Sequence, residues 1–421
     1  MQAAAKNLDH LATVETGMED RTKRGIDRRQ ALAGMAGLAL GTAATGPVMA
    51  QAVRGVTPTS IKVGVTLALT GPVSAVHTQL RAGQLAYAEM LNARGGVNGR
   101  KLELVFEDNE FSAQKAVTAV RKLVSRDNVF ALIGSNGTAQ ITPVLPYLAE
   151  NNVPVINSYT GVLEWFDPPR PLVYGVWTPL EPAMQALGRW AAKDGHKKIL
   201  VVHFDAAVAR GFSQHAIAGA KSVGQDVQVD FLPIKLGTVD YVPHVLEIIK
   251  RKPDAVIGGT ILQEFVAMAR ELRANGSKLP LYTTTYNVFD SLAALDPAAV
   301  EGTKAFTFTH SPLADTPAVK EYRDAMAQYI KPALPPDFPS LFTFAGTKIF
   351  AEALSRVKGE LTVPSLLAVL DNMKDYDSGI LPPVSFSASN HQGTNGLFKM
   401  VAKGGRWVGT GEMVDSVKNA W

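Results

Sequence analysis

From Ser60 onward, short runs rich in β-branched residues alternate with longer segments whose apolar residues recur at helical spacing. That alternation is the signature of a parallel α/β sheet, in which helices cover the sheet faces and ligands gather beyond the carboxyl ends of the strands. The spacing predicts strands over residues 61–69, 101–107, 129–133 and 153–157, with helices between them. One helix carries Ala113, Ala116, Val117, Val120 and Val124 on a single face, and Pro146 predicts a kink in the helix holding Ile141, Val144, Leu145 and Leu148. The stretch 158–178, with Trp165, Phe166, Pro168, Pro169 and Trp177, breaks the alternation and reads as a crossing. The pattern then restarts, with strands over 198–204, 226–233, 255–258 and 280–284 and helices over 181–193, 211–222 and 241–250. A further helix carries Phe265, Met268, Ala269 and Leu272 on one face; later come helices near 318–330 and 342–357, then a β-like segment at 396–402 before the turn Gly404-Gly405. Two such series, joined by segments that cross back and forth, predict an α/β fold of two Rossmann-like lobes with a central cleft.

The N-terminal region reads differently. Arg28 and Arg29 precede an Ala/Gly-rich apolar stretch from Ala31 to Ala44, and Val48-Met49-Ala50 has the small-residue spacing of a signal peptidase site. Residues 1–50 are therefore expected to be a signal peptide of the twin-arginine type. A general secretory signal and an uncleaved anchor share parts of this pattern. The protein is accordingly expected in the periplasm, and Met18 is an alternative start.

Composition removes several function classes. The net charge is +4 with no dense Lys/Arg block, so nucleic acid is not an expected partner. The chain has no cysteine, which excludes thiol catalysis, thiolate metal sites and disulfides. The eight histidines show no close metal-ligand spacing, and no nucleophile elbow, phosphate loop or GxGxxG follows the first strand. No cofactor, no metal and no enzymatic activity are expected; an exported cofactor-dependent oxidoreductase is the competing class, and it lacks a fingerprint. His77 is expected on a solvated loop near the cleft mouth.

The chain from Ser60 to Met413 resembles the leucine/isoleucine/valine-binding family of type I periplasmic binding proteins. The likeness rests on IKVGVTLALTGPVS (61–74), LNARGGVNGRKLELVFEDNE (91–110), IGSNGTAQITPVLPYLAENNVPVINSYTG (133–161), ILVVHFDAAVARGF (199–212), AVIGGTILQEFVAMARELRANG (255–276) and LPPVSFSASNHQGTNGLF (381–398). It implies a monomeric solute-binding component of an ABC importer that closes around a small organic molecule and presents it to an inner-membrane permease. A ligand sensor for a signalling partner would use the same fold. The resemblance implies lobes over 58–177 plus 309–382 and 178–308 plus 383–415, with hinges near 176–179, 308–311 and 381–384. It implies ligand contacts at Ser74 and Val76, at Thr138 and Ala139, at Tyr159, Thr160 and Gly161, and at Val208, Thr260 and Tyr286. Thr138 would offer a hydroxyl to a carboxylate at a helix start; ordinary helix capping is the other reading. Two departures bear on the ligand. Val208 stands where amino-acid binders carry an aromatic, and Thr285-Tyr286-Asn287 stands where they carry an acid for the ammonium. An unpaired buried ammonium is costly, so a neutral or carboxylate ligand with apolar bulk is expected, with Tyr159, Tyr286 or Trp165 against it. Glu164, Asp205 and Glu264 are the acids that could answer a cation instead.

Overall fold

The structure, a computed structural model, describes residues 53–416 apart from 72, 161, 261 and 262. The proposed signal segment lies outside the described residues, as does Gly161.

Two sheets organise the chain. The first has strand order β2-β1-β3-β4-β5 and is parallel throughout: β1 is Ser60–Leu67, β2 Lys101–Asp108, β3 Leu132–Ile133, β4 Val155–Ile156 and β5 Val173–Tyr174. The second has order β12-β11-β10-β9-β8-β6-β7, formed by β6 Lys198–Phe204, β7 Gln228–Ile234, β8 Ala255–Gly259, β9 Leu281–Thr283, β10 Lys304–Thr307, β11 Gly396–Lys403 and β12 Arg406–Asp415. Its β6 to β10 core is parallel, and the β11–β12 hairpin adds antiparallel at one edge. β1, β6 and β8 are buried almost throughout, as expected of strands covered by helices on both faces.

The sequence reading needs correction at several places, β10 and β12 among them. The first sheet does not end at β4: β5 lies inside the expected crossing, which shortens that crossing to the residues after Tyr174. The helix expected around Pro146 is three pieces, Thr138–Ile141, a 3-10 turn Thr142–Val144 and Leu145–Glu150, because Pro143 as well as Pro146 removes a backbone donor. A helix at Val363–Asp371, opened by a Thr362/Ser365 capping box, was not anticipated.

Helix packing is set by close approaches that only glycine permits. A Cβ on Gly83, in helix Ser74–Ala93, would stand 1.9 Å from the Ser340 carbonyl oxygen of helix Phe338–Ser355. One on Gly219 would meet the Gln185 carbonyl oxygen at 1.7 Å, which locks helix Leu180–Lys193 onto helix Ala207–Lys221.

Three segments cross between the sheets, and they hydrogen-bond side by side. The Gly175 N–H donates to His391 O at 3.0 Å, and the Gly393 N–H returns to Gly175 O at 2.7 Å. The Gln392 side-chain amide donates to Trp177 O at 2.9 Å, and the His310 N–H donates to Ile380 O at 2.9 Å. A continuous buried apolar cluster runs from Val63 and Ile133 of the first sheet through Trp177, Phe308, Phe338 and Phe342 to Val201 and Ile257 of the second. The lobes thus meet along an aromatic seam. Among the described residues no helix is long and apolar enough to cross a membrane.

Candidate ligand-binding site

The loops that leave the carboxyl ends of the parallel strands converge between the two sheets, where such folds bind ligands. On the first lobe, β1 leads to helix Ser74–Ala93, β3 to the 134–137 loop and Thr138, and β4 to residues 157–160. On the second, β6 leads to Asp205, β8 to Thr260 and β9 to Thr284–Asn287.

A cavity of about 690 Å³ opens between the lobes. The first lobe contributes Val73, Val76 and Gln79 with Asp337, and the second contributes Leu236, Glu264 and Phe289. Val76 therefore lines the mouth, and Ser74 sits between two other lining residues, Val73 and Ala75. The Phe289 and Phe338 rings lie 5.7 Å apart, and Phe338 in turn approaches Trp177 at 6.2 Å and Tyr159 at 6.3 Å. The cavity's inner wall thus continues into the aromatic seam. There Tyr159 and Trp177 pack edge to face at 4.4 Å, and Tyr286 lies 5.5 Å from Trp177. Tyr159 and Tyr286, expected on separate loops, come together around Trp177.

Thr138 and Thr160 also come together, hydroxyl to hydroxyl. Thr138 is not the helix cap, since Gly137 occupies that position and no side chain caps the turn. The helix it opens is only four residues long, so it offers little dipole, and recognition at this point falls to the hydroxyls and free backbone N–H groups. Ala139 beside it is exposed. Val208 lies in the first turn of helix Ala207–Lys221. Thr260 is fully buried on the opposite lobe, and its carbonyl accepts from the Asn287 side chain at 2.6 Å.

Two expectations are overturned. Trp165 does not reach the cleft; it is buried in a separate cluster of the first lobe with Phe166 and Val173, and its indole N–H donates to the Thr142 hydroxyl at 3.1 Å. His77 is not solvated, because the helix starts at Ser74 and turns it inward. Its Nδ1 accepts the Ala68 N–H at 2.6 Å, and its Nε2 lies 2.7 Å from the Asn136 side-chain amide. Burial holds its pKa down to about 4, against a smaller upward pull from Asp108, and the ring is a neutral brace for the 134–137 loop. Of the acids considered, Glu164 and Asp205 are exposed, the latter paired with Arg210 at 3.1 Å; Glu264 lines the cavity, with burial raising its pKa.

Several of the buried polar atoms without a hydrogen-bond partner among the described residues belong to these loops and their neighbours: Ser158 Oγ, Tyr159 OH, Trp177 Nε1, Thr260 Oγ1, Asn287 Oδ1 and one oxygen each of Glu181 and Glu264. Each such atom costs on the order of 1–3 kcal/mol unless something binds it. Burial pushes the Tyr159 phenol well above its usual pKa, with Tyr286 and Asp337 adding to the effect, and lifts Tyr286 to about 12, with Glu181 contributing. Both are neutral donors near neutral pH.

The lobes are also tied at the cavity edge. Asp337 caps helix Phe338–Ser355 through the Phe338 N–H at 2.8 Å, and the same carboxylate accepts the Ser291 hydroxyl at 2.6 Å and the Asp290 N–H at 3.1 Å from the other lobe. Burial raises the Asp337 pKa, partly offset by these donors, and lifts Asp290 to about 6, where the Trp407 N–H and Arg406 pull down and Asp337 pushes up.

The family model for periplasmic binding proteins matches residues 60–406. The chain belongs to the periplasmic binding protein family. The family consists of binding proteins, and the relatives this chain matches include Leu/Ile/Val-binding proteins. The Leu/Ile/Val-binding protein homolog 3 of Brucella melitensis is 25% identical over 236 residues, 51% of this chain and 58% of that relative, so the match spans less than two thirds of it. Homolog 2 of Brucella abortus is 24% identical over 345 residues, 80% of this chain and 89% of its own. A solved branched-chain amino acid ABC transporter protein from Thermus thermophilus, with bound valine, shares the fold at a TM-score of 0.77 and 20% identity, covering 85% of this chain and 97% of that one. The two-lobed α/β architecture expected from the alternation is thereby shown.

Proposed function

We propose that this protein is the periplasmic solute-binding component of an ABC importer of the branched-chain amino acid type, capturing a small organic molecule by lobe closure without altering it. One observation carries the reading. Unpaired buried polar atoms stand beyond the strand ends of both lobes, Ser158 and Tyr159 after β4 on one side and Thr260 and Asn287 after β8 and β9 on the other. A ligand that satisfies both sets at once favours the closed form over the open one, so closure is a population shift driven by differential contact.

The ligand-contacting residues in this reading are Tyr159, Thr160 and Thr138 on one lobe, Thr260 and Tyr286 on the other, and Ser74 and Val76 at the mouth. The lobes are residues 58–177 with 309–382 and 178–308 with 383–415, hinged at the hydrogen-bonded crossings. The closed monomer would be recognised by an inner-membrane permease. Export through the twin-arginine route is supported by Arg28-Arg29 ahead of the Ala31–Ala44 stretch.

A thermal-shift screen of the purified protein against amino acids, aliphatic and aromatic carboxylates, and amides tests the reading. One class should raise the melting temperature, by mass action worth about 2.7 kcal/mol at a hundredfold excess over Kd, and mass spectrometry should recover that compound unchanged. A compound consumed on incubation would overturn the reading.

A further inference from the structure

A second hollow lies at the edge of the second sheet, where β11 and β12 do not pair evenly. Phe398 stands opposite Met413 and Met400 opposite Gly409, so three residues of β12, 410–412, face Lys399 alone. Extra residues on one strand make it arch away from its partner, and such irregularities are common at sheet edges and beside binding sites. The arched stretch is also short of side chains: Gly411 holds φ at +84°, and a Cβ added to it would meet no atom within 4 Å. The result is a cavity of about 430 Å³ over Phe398 and Met400. Its opposite wall is the loop that follows the β10 crossing, with His310, Leu313 and Ala314. Arg323, from helix Pro317–Tyr329, fixes that loop by donating to Pro312 O at 3.3 Å and Ala314 O at 2.9 Å. No residue lining this cavity also lines the 690 Å³ cavity between the lobes.

The lining has an apolar, aromatic body. The His310 and Phe398 rings stack with centroids 4.4 Å apart, and Met400 and Leu313 complete the same walls. Ring stacks and thioethers suit a flat aromatic guest. The polar part of the lining offers donors. Lys399 is already paired with Glu412 at 2.6 Å, whereas the exposed Arg406 guanidinium has no carboxylate within salt-bridge distance among the described residues. Trp407, only 3% exposed, lines the cavity as well, and its indole N–H has no partner among the described residues. Burial lowers the His310 pKa, against a smaller upward pull from Asp377, so that ring is neutral near pH 7 and the net charge of the lining is that of Arg406. A guanidinium fork matches a carboxylate in shape and charge, and a cavity of this volume suits a single ring with a short arm.

We propose that this hollow is a second ligand site, separate from the cleft, for a small aromatic carboxylate whose ring lies against Phe398 and His310 and whose carboxylate is held by Arg406. It does not depend on which solute the cleft takes. Its walls are the loop after the β10 crossing and the edge hairpin, so an occupant fastens those two segments together.

The test is a fluorine NMR titration of the purified protein with 4-fluorophenylacetate and with 4-fluorophenylacetamide, its uncharged counterpart. The wild type should bind the acid about fivefold or more tightly than the amide. Arg406→Gln should reduce the acid to the amide's affinity, and Ala314→Trp, which fills the hollow from the loop side, should remove binding of both. Arg406 is exposed, so its substitution should leave the melting temperature near the wild type's and keeps the test decisive should the tryptophan disturb folding. Thr260→Val, in the cleft, should leave this binding as it is. Acid binding that is lost in Thr260→Val and kept in Arg406→Gln would put the probe in the cleft; the second site is then wrong, and the binding-protein reading gains support. No binding of either probe at millimolar concentration, or equal binding of acid and amide, overturns the second site and leaves the reading of the cleft standing.

Discussion

The crossings and the cleft floor are adjacent, similarly buried and built from the same mixture of polar and aromatic residues, but they treat hydrogen bonds in opposite ways. At the crossings the backbone is tied across segments remote in sequence, Gly175 to His391 and Gly393, His310 to Ile380. On the cleft floor, Ser158, Tyr159, Thr260, Asn287 and Glu181 each leave a buried atom unpaired. Buried polar groups in folded proteins are nearly always paired, so the crossings follow the ordinary rule for a stable joint and the cleft departs from it. The difference teaches where stability was given up for binding: the backbone of the joint is tied within the protein itself, with Gln392 Oε1 left unpaired, whereas the proposed function has the floor completed by a ligand.

Substitutions on the two sides should therefore act with opposite sign. The largest effect is expected at Asp337, which serves the joint at the cavity edge. Asp337→Ala removes a helix cap and the inter-lobe bonds from Asp290 and Ser291 together, and should lower stability by about 3 kcal/mol in denaturant unfolding. Next comes Gln392→Ala, which leaves the carbonyls of Trp177 and Thr394 without their donors at 2.9 and 2.7 Å; a loss of about 2 kcal/mol is expected.

Asp290 lies between the two regimes, paired to the Trp407 N–H but with a carboxyl raised from 3.8 to about 6, first by burial and then by Asp337. A folded pKa above the unfolded one means extra stability that is fully present below about 4 and is lost as pH rises through about 6. Asp290→Asn keeps an acceptor for Trp407 and cannot ionise. It should raise stability above pH 6 by on the order of 1 kcal/mol, with the gain over wild type vanishing below pH 4. A constant difference at every pH would assign the effect to packing. The smallest change belongs to the floor itself: Thr260→Val, which removes an orphaned hydroxyl at nearly constant volume, should raise unliganded stability by up to about 1 kcal/mol while weakening ligand binding.

How much of this could be read in the sequence depended on whether the signal was periodic or spatial. β1 and β6 were legible because Ile61, Val63 and Val65, and Leu200 to Val202, are β-branched or aliphatic runs closed by turn residues. β5 and β10, of two and four residues, are too short to carry a period. β12 was hidden because most of its residues face solvent and Gly409 and Gly411 interrupt the alternation. The Val363–Asp371 helix has a readable start in Thr362, Pro364 and Ser365, but no Glu or Gln at the third position to mark it as strongly as the usual capping box does. Within the site, the resemblance brought forward Thr138 with Thr160 and Tyr159 with Tyr286, pairs the fold places in contact or around one ring. Glu181 could not be found that way: in sequence it is an ordinary first-turn acid, and only the folded chain leaves one of its oxygens buried without a partner. His77 likewise looked like a loop residue because its role depends on Ala68 and Asn136, brought to it by β1 and β3.

The most direct test of the central claim is small-angle X-ray scattering of the protein with and without the ligand that raises its melting temperature. If the unpaired groups of the two lobes are joined through that ligand, its addition should narrow the distribution of scattering profiles to that of one closed form with a smaller radius of gyration. Ligand bound at saturation with an unchanged profile would contradict closure as the mechanism.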